Sequence, residues 1–118
     1  MIREPVVAGQ FYPGQKSALV RALQKFLPGG TTRPAKGLIA PHAGYIYSGA
    51  IAGQVFASSR IPDKIVILGP NHHGGGHPAA VFAQGSWRTP LSETQIDENL
   101  ARQLIDRCSL LGDDPAAH

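Results

Sequence analysis

The sequence predicts an α/β fold in which a mainly parallel sheet is flanked by helices. Two short segments, residues 37–40 and 63–68, are predicted to be strands. The first is a short apolar run, and the second contains the continuous apolar residues 65–68, as is typical of parallel strands that are buried on both faces. Between them, residues 48–58 have the apolar spacing of a helix, and Ser48 is a favourable residue for its N-cap. Strand, helix and strand within residues 37–68 indicate a βαβ unit, whose right-handed crossover places both strands in one parallel sheet.

The remaining elements are predicted from helical spacing and from helix-ending residues. Apolar residues recur at helical spacing in residues 17–27, which predicts an amphipathic helix that ends at Pro28. Residues 79–83 have the character of a further short strand, and Asp97 is a candidate N-cap for a last helix that continues to about Leu110. Two or three strands leave a sheet with an unpaired edge, which natural proteins avoid. We therefore expect residues 1–118 to be one partial domain, the N-terminal part of something longer.

Length and composition narrow the class of protein. With 118 residues, 42% hydrophobic and 16% charged, the chain has the size and composition of at most one globular domain. Its longest strongly apolar run is residues 65–68, which is far too short to cross a membrane, and its N-terminus lacks the apolar core of a signal peptide. A single cysteine, Cys108, excludes an internal disulfide. These features predict a cytoplasmic protein with no membrane partner.

The charge distribution argues against a nucleic-acid partner. The formal net charge is +3, and seven of the eleven Lys and Arg residues lie within residues 1–62, beside a single acidic residue, Glu4. A basic half is one feature of proteins that bind nucleic acids. The basic residues are nevertheless dispersed and form no tight run, which is typical of solvated helix and loop surfaces. We expect no nucleic-acid partner.

Two histidines are the strongest candidates for chemistry. His42 follows the first predicted strand and His72 follows the second, so both would leave the same edge of a parallel sheet. Open α/β sheets bind ligands at that edge, outside the carboxyl ends of the strands. Neutral imidazole is a common ligand for iron, copper and zinc. The alternative is that each is a loop histidine held by local hydrogen bonds, but two at equivalent strand ends favour a shared metal or substrate site.

The glycine-rich loop at residues 69–77 is a candidate phosphate-binding loop. Gly69 and Gly74 have the glycine spacing of a P-loop, but glycines also occupy the next two positions, where a P-loop has Lys and Ser or Thr. No nucleotide is therefore expected. His73 is expected to point away from the preceding histidine, and His77 is expected to face solvent.

A third metal ligand cannot be assigned from the sequence. The candidate carboxylates lie at no recognisable strand end: Glu93, Asp97, Asp113 and Asp114. Cys108 is predicted to lie on the inner face of its helix, where it acts as a small hydrophobic residue. The hydroxyl of Tyr45 or Tyr47 could donate a proton or orient an oxygen-bearing substrate. The alternative is that each tyrosine ring packs against its neighbours and leaves its hydroxyl at the edge of the contact.

Four segments carry a resemblance to a known family. The segments REPVVAGQFYPG, PHAGYIYSGAIAG, IVILGPNHHG and WRTPLSETQID resemble, in order and spacing, the Memo family, which in bacteria and archaea is called AmmeMemoRadiSam system protein B. The resemblance extends over essentially all 118 residues. It implies the N-terminal part of a fold related to the class III extradiol dioxygenases, which are non-haem iron(II) enzymes that open catechol rings.

The resemblance also implies functional residues. The histidine of PHAGY and the first histidine of the GP-x-HH segment line the presumed metal site of the family, and here they are His42 and His72. The remaining family ligand is a cysteine far downstream, to which Cys108 does not correspond. The chain thus resembles the first two-fifths of a family member with an incomplete site. The name shared with radical-SAM proteins implies a common pathway.

Two classes of function remain open at this point. The first is a metal-dependent redox enzyme, in which His42, His72 and a missing third ligand hold Fe(II) or Cu and activate dioxygen or a small molecule. The second is a scaffold that kept the dioxygenase fold and binds a small molecule or peptide in the same crevice, because fold alone does not determine function. Phosphate binding at the glycine-rich loop is a third, weaker hypothesis. Residues 1–118 alone are expected to have little or no activity.

Overall fold

A computed structural model describes residues 1–118 and contains three helices and seven short strands. The helices are α1 (Lys16–Phe26), α2 (Tyr45–Ala57) and α3 (Glu98–Arg107), and a 3-10 turn spans Pro115–Ala117. The strands are β1 (Ile2–Arg3), β2 (Arg33–Pro34), β3 (Ser59–Arg60), β4 (Ala80–Val81), β5 (Ser86–Arg88), β6 (Glu93–Gln95) and β7 (Gly112–Asp113). The predicted α/β class is confirmed at this level. No helix has the length and apolar character needed to span a membrane.

The chain forms two units, each with its own sheets and helices. The first unit, which we call the α3 unit, comprises Met1–Glu4, Val66–Arg88 and Ser92–His118. The second, the α1–α2 unit, comprises Pro5–Ile65 and Thr89–Leu91.

In the α1–α2 unit, two glycines allow the helices to approach closely. Leu19 of α1 is buried, and Gly49 and Gly53 of α2 are buried against Phe26, the last residue of α1. A Cβ added at Gly53 would overlap the backbone carbonyl of Phe26, and one added at Gly49 would lie 2.8 Å from the Phe26 ring. The contact between α1 and α2 therefore depends on these two positions having no side chain.

Helix α2 begins at Tyr45, which lies before the predicted N-cap Ser48. Its N-cap is Gly44, and the N–H of Tyr45 donates to the carbonyl of Phe11 at 2.7 Å. Ser48 is instead a buried residue within the first turn, where its hydroxyl donates to the carbonyl of Ala43 at 2.8 Å. The prediction was wrong because the helix start is fixed by a contact with a residue distant in sequence, which local capping rules do not include.

The two strands predicted at residues 37–40 and 63–68 do not form. Both segments lie outside the strands, and Ile39 is 95% exposed and Leu68 is 90% exposed. A parallel pair does flank α2, but it is formed by β2 and β3, with Arg33 opposite Ser59. Parallel strands with uninterrupted apolar sequences require cover on both faces. At these two segments that cover is missing.

The α3 unit contains a three-stranded mixed sheet and a two-stranded parallel sheet. In the first, β5 lies between β1, which is parallel to it, and β6, which is antiparallel. Arg88 of β5 forms ion pairs with Glu4 at 2.7 Å and with Glu93 at 3.1 Å. The second sheet pairs β4 with β7, and β4 confirms the strand that was predicted within residues 79–83.

The helix predicted after Asp97 is confirmed together with its cap. The Asp97 carboxylate accepts from the N–H of Leu100 at 3.0 Å, and α3 ends at Arg107 rather than near residue 110. Ala101 is buried in this unit. A second packed group is aromatic, since the rings of Phe82 and Trp87 meet edge to face at 5.9 Å.

Candidate functional site

His42 lies on the rim of an apolar cavity in the α1–α2 unit. It follows Pro41 in the loop that leads to α2, and its side chain is exposed. The cavity has a volume of about 280 Å³, near the lower end of the range for small-molecule sites. Its lining is largely apolar and includes five aromatic residues beside His42: Phe11, Tyr12, Phe26, Tyr45 and Phe56. His42 therefore borders a space of ligand size, and its role as a metal ligand stays a prediction.

Two tyrosines are among the polar residues that line the cavity. The rings of Tyr12 and Tyr45 lie 5.7 Å apart, and Tyr45 also meets Phe26 edge to face at 6.0 Å. Burial raises the pKa of the Tyr45 hydroxyl above its ordinary value of 10.0, and the neighbouring Tyr12 raises it further. Tyr45 is therefore a neutral O–H donor at physiological pH. Tyr47, the other tyrosine considered from the sequence, is exposed on the opposite side of the helix.

His72 lies on the glycine-rich loop of the α3 unit. The loop is closed by Asn71, whose side-chain amide donates to the carbonyl of Gly75 at 2.7 Å and whose Oδ1 accepts from the N–H of Gly74 at 2.9 Å. Gly74 has a φ of +65°, a conformation that residues with a Cβ rarely adopt. His72 is exposed, as is the adjacent His73. Because His42 and His72 belong to different units, a site shared by both stays a prediction.

His77 has a structural role that the sequence did not reveal. Its backbone N–H donates to Oδ2 of Asp114 at 2.7 Å, and its Nδ1 accepts from the N–H of Ala79 at 3.2 Å. The ring packs closely over Gly112, where an added Cβ would lie 2.7 Å from the imidazole. His77 is exposed as predicted, but it also anchors the end of the glycine-rich loop to β7.

Three of the carboxylates considered as metal ligands accept hydrogen bonds from other residues of the protein. Asp97 caps α3, and Asp114 accepts from the N–H of His77 and from the N–H of Ala116. Glu93 accepts from the hydroxyl of Ser86 at 2.6 Å and from Arg88, and these two hydrogen bonds lower the pKa of its carboxyl. No group of three or more His, Cys, Asp or Glu residues is placed to hold a metal ion.

The comparisons with known proteins agree with the motifs. The model of the family described as Memo-like protein matches residues 3–118. A MEMO1 family protein of Pyrococcus furiosus is 42% identical over 100% of this chain and 42% of its own length. Similar proteins from Methanopyrus kandleri and Methanothermobacter thermautotrophicus are 41% and 40% identical, each over 100% of this chain and 47% of the relative.

These matches establish the class to which the protein belongs. An α/β chain with the paired PHAGY and GPNHH segments, matched by the family model over nearly its whole length, is a Memo-type chain. The chain belongs to the Memo family. It spans a little under half the length of the curated relatives it matches.

Proposed function

We propose that His42 and His72 are two ligands of a non-haem iron or copper site in a redox-active, dioxygenase-like Memo protein. The observation that carries the proposal is the position of His42 on the rim of a cavity of about 280 Å³ that is largely apolar. Imidazole is a suitable donor for both metals, and apolar surroundings limit the access of water to a ligand group. Iron or copper bound there would supply one-electron redox chemistry and Lewis acidity.

The chain's own residues have definable parts in this proposal. Tyr45 lines the same cavity as His42, and its raised pKa keeps the hydroxyl protonated. It therefore offers a hydrogen bond to an oxygen atom of a bound small molecule. The aromatic rings of Phe11, Phe26 and Phe56 provide an apolar surface against which such a molecule would be held.

The two imidazoles are suitable ligands for iron or copper, but such a site also uses a third protein ligand. Iron(II) oxygenases of this general type use two histidines and a third protein ligand. Residues 1–118 provide no cluster of three donors, so the proposal requires a third ligand from outside these residues. We derive no reaction step for the 118 residues by themselves.

Copper titration of the purified chain tests the two named ligands. We expect one Cu(II) to bind with an affinity that falls at least about tenfold in His42→Ala and in His72→Ala, since each change removes a donor. His73→Ala is the matched control, because it removes an exposed imidazole adjacent to a proposed ligand. Equal affinities for the wild type and both ligand variants would contradict the proposal.

A second function is a ligand-binding scaffold without chemistry. It is favoured by the largely apolar cavity. In that case phenol, used as a small aromatic probe, would shift the amide resonances of Gly49 and Gly53, which line the cavity. His42→Ala would weaken this binding while the metal content of the wild type stayed at background. Stoichiometric metal in the wild type would argue against the scaffold.

A further inference from the structure

Residues 5–14, the larger part of the REPVVAGQFYPG segment, contribute a tyrosine to the cavity of the α1–α2 unit. Tyr12 lines this cavity beside Tyr45. The segment is held at the start of α2, because the carbonyl of Phe11 accepts from the N–H of Tyr45 at 2.7 Å. It turns at Gly9, which has a φ of +81° and whose N–H donates to the carbonyl of Tyr12 at 2.7 Å. Backbone hydrogen bonds therefore hold Tyr12 and Tyr45 next to each other.

The hydroxyls of Tyr12 and Tyr45 form a pair of hydrogen-bond donors. The two rings are tilted by 40° with their centroids 5.7 Å apart, and both residues are half-buried. Burial and the charge of an ionised Tyr12 both raise the pKa of Tyr45, and since repulsion between like charges falls off with distance, the two phenol oxygens lie near each other. Two neighbouring O–H donors match an acceptor with two lone pairs, such as a carbonyl oxygen.

The cavity provides no partner for a charged ligand. None of its lining residues is Asp, Glu, Lys or Arg. Burial of a charge without a partner is costly, so both a carboxylate and an ammonium group are disfavoured. A group of aromatic rings can hold a cation, but the seven basic residues of this unit outnumber its one acidic residue, Asp63. The lining therefore selects an uncharged ligand.

The volume of the cavity suits a single aromatic ring with a small substituent. An engineered protein cavity of about 150 Å³ lined by apolar side chains binds benzene. The cavity beside His42 has a volume of about 280 Å³, which leaves room for a polar group on the ring. Phe11, Phe26 and Phe56 line it as well, and aromatic rings pack favourably against one another in offset or edge-to-face arrangements.

We propose that the cavity binds an uncharged, single-ring aromatic compound through a carbonyl oxygen that accepts hydrogen bonds from Tyr12 and Tyr45. The two hydroxyls are the groups that determine this specificity. Aromatic amides, ketones and aldehydes have the required chemistry, whereas aromatic carboxylates and amines do not. This ligand class rests on the small-molecule function proposed above for the same cavity and specifies the molecule that is held beside His42.

Binding of benzamide to the metal-free chain, in the presence of EDTA, tests the proposal. Dissociation constants are measured from the amide resonances of Gly49 and Gly53, which line the cavity. We expect benzoate and benzylammonium, which have a similar size but carry a charge, to bind at least about tenfold more weakly than benzamide. This comparison uses only the wild type, so it does not depend on the folding of any variant.

Tyr12→Phe and Tyr45→Phe each remove one hydroxyl and keep the ring. Each is expected to weaken benzamide binding about three- to tenfold, which corresponds to the loss of one hydrogen bond. Tyr47→Phe, at an exposed position of the same helix, is the matched control and should bind benzamide as the wild type does. Benzene, which has no acceptor, should bind equally to the wild type and to both cavity variants.

Several outcomes would overturn the proposal. The first is equal affinity for benzamide, benzoate and benzylammonium, and the second is no benzamide binding in a chain that still binds copper. A third is an equal loss of benzamide and benzene affinity in Tyr45→Phe, which would assign the effect to the ring and not to the hydroxyl. Because no metal is present, selective benzamide binding by a chain that fails the copper titration would support the ligand class and contradict the metal site alone.

Discussion

Gly53 shows how strongly a single position controls the packing of α1 on α2. Alanine is a better helix former than glycine by about 1 kcal/mol, so propensity alone predicts that Gly53→Ala stabilises the chain. The added Cβ would however overlap the Phe26 carbonyl, which is backbone and cannot rotate away. We expect the overlap to dominate and to lower the free energy of unfolding by about 1–3 kcal/mol, measured by urea denaturation.

Two other glycines provide the comparison for this prediction. Gly49→Ala meets the Phe26 ring, which can move, so its loss of stability should be smaller than that of Gly53→Ala. A Cβ added at Gly30 would meet no neighbouring atom, so Gly30→Ala should change the free energy of unfolding by less than about 0.5 kcal/mol. A Gly53→Ala variant as stable as the wild type would contradict the described approach of the two helices.

Glu93 is the residue from which we expect a pH dependence of stability. The hydrogen bond from Ser86 and that from Arg88 lower the pKa of the Glu93 carboxyl below its ordinary value of 4.5. A carboxyl whose pKa is lower in the folded state stabilises the protein above the unfolded-state pKa. That contribution disappears as the pH falls through the folded-state pKa.

Replacement of Glu93 by glutamine should therefore reduce the loss of stability on acidification. The difference in melting temperature between pH 6 and pH 3 is expected to be smaller in Glu93→Gln than in the wild type. Asp106→Asn, on the exposed side of α3, should leave that difference unchanged. Identical acid sensitivity of Glu93→Gln and the wild type would show that Glu93 contributes nothing to this pH range.

The candidate carboxylates also show why the site could be predicted only in part. His42 and His72 are candidates because each follows an apolar run, which is a local feature of the sequence. The roles of His77 and Asp114 depend on a contact between residues that are 37 positions apart. No spacing rule contains that contact, so the sequence could not identify these residues as structural partners.

At the scale of secondary-structure elements, α3 depends on its N-cap. The Asp97 carboxylate accepts from the N–H of Leu100, which satisfies one of the free donors of the first turn. Asp97→Ala is expected to cost about 1 kcal/mol of unfolding free energy, as judged by thermal denaturation. Asp97→Asn should retain most of the stability, because asparagine is an equally good cap. If both variants lose the same amount, the cap is not the source of the effect.

The extended segment at residues 65–68 gives a second prediction at this scale. These residues belong to no strand and are all exposed, so their amides should exchange hydrogen rapidly. Amides near the centre of α2 should be protected by helical hydrogen bonds. Hydrogen exchange followed by NMR compares the two segments directly. Similar protection at residues 65–68 and in α2 would indicate that the parallel strand predicted from the sequence forms in solution.

The helices could be predicted more accurately than the strands for a physical reason. Helix hydrogen bonds join residues four positions apart, so the apolar period and the Asp97 cap contain most of the necessary information. A strand needs a partner strand from elsewhere in the chain. In a parallel sheet it also needs other elements packed against both of its faces. Residues 37–40 and 63–68 have strand-like sequences, but no partner strand pairs with them in the structure.

At the scale of the whole molecule, the α/β class and the family agree with the sequence. Large apolar side chains are nevertheless exposed on α2 and in residues 65–68, and apolar side chains grouped in this way mark interaction surfaces more often than side chains that are scattered singly. Family membership rests on the match over residues 3–118.

The most direct test of the metal proposal is to count the coordinated imidazoles by pulsed electron paramagnetic resonance of the chain loaded with one equivalent of Cu(II). The proposal predicts two imidazole ligands in the wild type and in His73→Ala. It predicts one imidazole ligand in His42→Ala and one in His72→Ala. An imidazole count that is unchanged in both ligand variants, or that falls in His73→Ala, would contradict the assignment of His42 and His72.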